Sequence, residues 1–135
     1  MKNPRANAER WLRQAEYDLG VAQKLLEDSA FAYAAFHAEQ SAQKSLKAYL
    51  LLGGRRFIPT HSVGELAQQA AALEASFGPL VDQAKRLDRH YLTSRYPDAL
   101  PEPAIPAEAY VRSDADEAVG ISRKIFEICK SVIGK

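Results

Sequence analysis

The chain has 135 residues, 47% of them hydrophobic; this suits one compact domain of the usual ~100–200 residues and excludes both a two-domain protein and a disordered chain. Eighteen Lys and Arg against seventeen Asp and Glu leave a net charge of +1, which excludes nucleic-acid affinity resting on bulk charge and confines any such site to a local patch. The single cysteine, Cys129, excludes an intramolecular disulfide, and no Cys/His cluster has zinc spacing, so neither a metal nor another cofactor is expected.

The opening MKNPRANAERWLRQ is charged and amphipathic, and no apolar run approaches the ~18 residues that span a bilayer. A cytoplasmic protein without membrane contact is expected. Ala8, Trp11, Leu12, Ala15, Leu19, Ala22, Leu25 and Leu26 then recur at three- and four-residue steps, predicting a first helix that starts at Asn3 or Asn7 and closes at Asp28-Ser29. Phe31 to Leu52 contains no Gly or Pro and predicts a second helix, stopped by Gly53-Gly54. Its small residues, Ala34, Ala35, Ala38, Ser41, Ala42 and Ser45, mark it as the central helix of a bundle.

After the loop RRFIPT, Val63, Leu66, Ala67, Ala70 and Leu73 describe a shorter third helix capped by Thr60 or Ser62 and broken at Phe77-Gly78-Pro79. Leu80, Ala84, Leu87 and Tyr91 are in register for a fourth, which must stop near Arg95-Tyr96 ahead of Pro97. Four prolines between Pro97 and Pro106 predict an irregular loop. The last helix runs from about Ser113 to Ile133, and its apolar arc, widened by Ile121 and Ile128, points to a second packing partner and hence an oligomer. The expected fold is all-α: one domain over 1–135, an antiparallel up-and-down helical bundle of four long helices plus one short helix.

On the second helix His37, Gln40, Lys44 and Lys47 repeat at three- and four-residue spacing and stack on one face. That stripe is either a solvated polar face or a donor-rich wall for an anion. Between Gln40 and Gly64 the only charged residues are Lys44, Lys47, Arg55 and Arg56, a run of +4; Asp98, Glu102, Glu108, Asp114, Asp116 and Glu117 against Arg112 give −5 further on. Such polarity suits phosphate binding or charge pairing across an interface.

Lys85, Arg86, Arg89 and His90 fall on the solvated arc of the fourth helix, whereas Asp88 and Arg95 fall on its apolar side and bracket Tyr91. An inward charge needs a partner. Either Arg95 pairs with Asp88 or Asp98, or it lines a groove and grips phosphate. Arg55 and Arg56 precede His61 with five and four residues between, and an arginine with a histidine supplies what metal-free RNA cleavage through a 2′-hydroxyl requires. As a helix-start residue His61 has a plainer role open to it.

The string FHAEQSAQKSLKAYLL, His61-Ser62 followed by Leu66, YLTSRYPDA at 91–99 and the closing helix together resemble the bacterial and archaeal HEPN domains (higher eukaryotes and prokaryotes nucleotide-binding), and the similarity covers nearly the whole chain. The resemblance implies a helical bundle, a homodimer formed here through the last helix, and a minimal nucleotidyltransferase as partner in a toxin–antitoxin-like pair. It also implies nucleotide or RNA as ligand, and the segment Arg95, Tyr96, Pro97 and Asp98 carries over as characteristic of the family. Many members are metal-independent RNases with an Arg/His motif near the start of a late helix; in this chain the matching spacing, Arg55 or Arg56 with His61, lies in an earlier loop.

Three functional readings follow. The first is a nucleotide- or RNA-binding module that uses the stripe of His37, Gln40, Lys44 and Lys47, in which Lys44 and Lys47 face the same groove as Arg95 and Tyr91, Tyr91 and Tyr96 stack on a base, and Asp98 returns to Arg95 or caps the turn. The second is an endoribonuclease using Arg55 or Arg56 with His61. The third is a non-catalytic protein-interaction adaptor.

Overall fold

The computed structural model describes residues 3–55 and 57–134, and every regular element among them is helical. In chain order these are α1 (Pro4–Glu27), α2 (Phe31–Leu52), α3 (Val63–Leu73), α4 (Val81–Leu87), α5 (His90–Thr93), α6 (Pro106–Ala109) and α7 (Arg112–Ile133), with short stretches of 3-10 helix at Ala75–Leu80 and Pro97–Ala99. No helix among the described residues is long and apolar enough to cross a membrane. Arg56, one arginine of the predicted Arg/His pair, lies outside the described residues.

α1 begins where the Asn3 side chain accepts the Arg5 and Ala6 backbone N–H groups at 3.0 and 3.2 Å, with Pro4 at the first position, where a missing donor costs nothing. It ends where Ser29 takes a left-handed φ of 62° and Ala30 N–H reaches back to the Leu25 carbonyl at 2.8 Å. α2 closes the same way, with Gly54 at φ 96° and Arg55 N–H on the Leu50 carbonyl at 3.2 Å.

Alanine decides how α2 packs. Ala34, Ala35, Ala38, Ala42 and Ala48 are fully buried, and side chains this small let α1 and α7 approach closely on either side. The Ser41 hydroxyl donates across the α1 contact to the Ala15 carbonyl at 2.7 Å. Arg5, at the start of α1, donates to the Ile133 carbonyl at the end of α7 at 2.8 Å, so these two helices run antiparallel and a cation meets the negative end of the α7 dipole. The all-α bundle is as expected, with α2 at its centre.

Two expectations are corrected. The arc of α7 is consumed inside the chain: Ile121 is 5% exposed and Ile128 is half-buried, because α7 packs against α1, α2 and α4. Its breadth therefore does not call for a second molecule. The fourth predicted helix is divided, α4 stopping at Leu87 and α5 starting at His90. The break turns His90 inward, where it is buried with Nδ1 2.6 Å from the Tyr110 hydroxyl, which in turn lies 2.8 Å from the Thr93 hydroxyl. The Pro-rich loop, expected to be irregular, holds one 3-10 turn and leads into α6.

Candidate functional site

His37, Gln40, Lys44 and Lys47 do share one face of α2, and all four are half-buried. They are not equivalent. Lys44 is ion-paired to Asp18 of α1, a carboxylate only 7% exposed that also accepts from Gln14 Nε2 at 3.2 Å. Its charge is spent inside the bundle. Gln40 donates to Glu39 Oε1 at 2.8 Å, so it too is committed. Burial pushes both His37 and Lys47 below their ordinary pKa values, against the pull of Asp18 on the one and Glu39 on the other.

Behind this stripe Glu39 is fully buried, bonded by Gln43 Nε2 at 2.5 Å and by Gln40. Burial pushes its carboxyl up to about 7; the two amide donors and Arg95 oppose that rise, and Asp88 adds to it.

Arg95 follows α5 and meets α2. Its Cζ lies 4.3 Å from the ring centroid of Phe36, 5.0 Å from Tyr91 and 4.8 Å from Tyr96, so three aromatic rings surround the guanidinium. Nε and Nη2 donate to the Tyr91 carbonyl at 3.0 and 2.6 Å, and Nη1 reaches the Tyr96 hydroxyl at 3.4 Å. Among the described residues no carboxylate pairs with it. Both expected ion pairs are thus absent. Asp88 caps α3 instead: Oδ1 accepts Val63 N–H at 2.6 Å, and Oδ2 accepts the Ser62 hydroxyl at 2.7 Å and Gly64 N–H at 3.3 Å. Asp98 is exposed in its 3-10 turn and does not return to Arg95.

Arg95 also lines a cavity of about 390 Å³ with Phe31, Tyr33, Pro97, Ile105 and Pro106. Lys44 lines a different hollow from the one that Arg95 borders. Tyr91 is less available to a base than expected, because its ring stacks on His61 at 5.7 Å and 12° as well as meeting Arg95. Tyr96 is 50% exposed. In the predicted Arg/His pair His61 is exposed against Tyr91, while Arg55 donates to Gln69 of α3.

The second hollow was missed. It is an open groove of about 590 Å³ lined by Arg10, Trp11, Arg13, Gln14, Tyr17 and Lys44. Reading α1 for its apolar stripe assigned Trp11 to the core; the available signal was Arg10, Gln14 and Tyr17 at steps of four and three, which puts them on one face.

The sequence matches the HEPN domain family over residues 8–132. It is 27% identical over 134 residues to the candidate toxin MJ1304 of Methanocaldococcus jannaschii, covering 93% of this chain and 88% of that one. Among solved structures it resembles TT1696 from Thermus thermophilus (35% identity, TM-score 0.81, 92% and 96% of the two chains). It also resembles ST0689, an archaeal HEPN homologue (32% identity, TM-score 0.77, 98% and 99% coverage).

Proposed function

Since this chain belongs to the HEPN domain family, we propose that it is a nucleotide- or RNA-binding module working beside a minimal nucleotidyltransferase in a toxin–antitoxin-like pair. The observation that carries this reading is Arg95. Three rings hold its guanidinium, it has no carboxylate partner among the described residues, and it borders a cavity whose walls are largely apolar. A pre-positioned, unpaired guanidinium beside apolar walls fits a ligand with a phosphate and a flat body. The resemblance to a candidate toxin supports the pairing, and the resemblance alone carries the homodimer. Binding of a labelled single-stranded RNA, followed by anisotropy, tests the reading: Arg95→Ala should weaken it at least tenfold. Unchanged retention would leave the adaptor reading in its place.

A second reading, a metal-independent endoribonuclease using Arg55 or Arg56 with His61, is favoured by one observation. His61 is open to solvent and its ring stacks on Tyr91, whose ring also meets the Arg95 guanidinium. There it can move a proton while an arginine stabilises the transferring phosphoryl group. Cleavage of RNA in chelator, abolished in His61→Ala, is the expected result; cleavage that survives that substitution removes His61 from the chemistry.

A further inference from the structure

We propose that the groove over Trp11 is a second binding site, taking one nucleotide unit with its base against the indole and its phosphate on Arg10 and Arg13. The cations come first. Both arginines are exposed, and among the described residues neither forms an ion pair, whereas Lys44, which also lines the groove, is already neutralised by Asp18. The groove thus offers two guanidinium groups free of ion pairs beside a Lys44–Asp18 pair that carries no net charge. The aromatic wall comes second. Trp11 is half-buried, packed against the core and lines the groove, which Tyr17, 68% exposed, lines as well. Stacking on a fixed aromatic face is favourable for any base and independent of sequence.

Size and spacing agree with this ligand. The groove, at about 590 Å³, lies within the range of small-molecule sites, roughly 300–1,000 Å³. At about 1.5 Å of rise per residue Arg10 and Arg13 lie about 4.5 Å apart along α1, and both line the groove together with Trp11. The choice of a nucleotide over another aromatic anion rests on the function proposed above. The site itself rests on α1, which that reading does not use.

Trp11 is the only tryptophan in the chain, so its fluorescence reports on this groove alone. Titrating the full chain with AMP and with a short oligoadenylate should quench that emission, and inorganic phosphate should not. Quenching by AMP as well as by oligoadenylate identifies a free nucleotide as sufficient; quenching by oligoadenylate alone identifies a strand. Arg10→Ala with Arg13→Ala should weaken the effect at least tenfold, while Trp11→Phe should keep binding, read by anisotropy, and lose the signal. Oligoadenylate that binds in an Arg95-dependent manner with Trp11 emission unchanged overturns this proposal and leaves the proposed function standing. Quenching should persist in Arg95→Ala, because this groove does not contain Arg95; binding read by anisotropy that is likewise insensitive to Arg95→Ala overturns the proposed function alone. Equal quenching by polyglutamate or by inorganic phosphate overturns the nucleotide assignment.

Discussion

Asp88 shows how one side chain can decide a local structure. Its carboxylate receives two backbone N–H groups and a hydroxyl at the start of α3, so it satisfies donors that the first turn of a helix leaves without intrahelical partners. Asp88→Ala removes all three bonds at once and should lower stability by about 2–4 kcal/mol, since each orphaned donor carries its desolvation penalty. Asp88→Asn, which keeps an acceptor oxygen, should lose about half as much. Urea unfolding checks both, and a loss under about 0.5 kcal/mol for the alanine variant would mean that water replaces the carboxylate. The sequence told that Asp88 and Arg95 lie inward and need partners. It did not tell which, because the answer is set by a helix 25 residues away. Arg95 found rings where a carboxylate was expected, and a guanidinium among three aromatic faces leaves no mark of spacing in the sequence.

At the scale of elements, α1, α2, α3 and α7 were legible because each has its own period and its own ends: Asn3 before α1, Gly54 after α2, Ser62 before α3. The fourth helix was not. Its break lies between Leu87 and His90, where there is neither Gly nor Pro to announce it. Tertiary ties make it, Asp88 held by α3 and His90 by Tyr110. The α3–α4 approach that these ties need depends on Gly64. A Cβ there would stand 2.6 Å from Lys85 Cγ and 3.2 Å from Lys85 Cα, and 3.1 Å from Asp88 Oδ2. By propensity alone Gly64→Ala would stabilise a helix by about 1 kcal/mol. Overpacking against α4 should win and give a net loss of about 1–2 kcal/mol. Because the same displacement opens the Asp88 bonds, Gly64→Ala and Asp88→Ala should be non-additive by at least about 0.5 kcal/mol in a double-mutant cycle. Additive losses, or a raised melting temperature in Gly64→Ala, would show that α4 yields without strain.

Across the whole molecule the charge polarity read from the sequence is partly absorbed within the chain: Arg86 pairs with Glu117 at 3.5 Å and Arg89 with Asp114 at 3.3 Å. These are exposed pairs worth little to stability. Two buried groups matter more, and they oppose each other. Glu39 has its carboxyl pushed from 4.5 to about 7, so the folded state holds a proton that the unfolded chain releases, and stability falls as pH rises through that window. His90, by burial and the nearby Arg89 charge, is pushed down from 6.5 to about 4, so the folded state refuses a proton that the unfolded chain takes, and stability falls as pH drops through its own window. Each slope is about 1.4 kcal/mol per pH unit. Between pH 4.5 and 6.5 both act with opposite sign, and their contributions to the wild-type profile cancel. Substitution should uncover either one. Glu39→Gln, which keeps one acceptor oxygen for Gln40 or Gln43 and removes the titration, should make stability rise with pH across that interval, by about 3 kcal/mol in all. His90→Gln, which can still bond the Tyr110 hydroxyl, should make it fall by a similar amount. Urea midpoints taken every half unit of pH read both slopes. If Glu39→Gln tracks the wild type throughout, Glu39 is ionised in the folded protein, and the centre of the bundle holds a carboxylate within the field of Arg95.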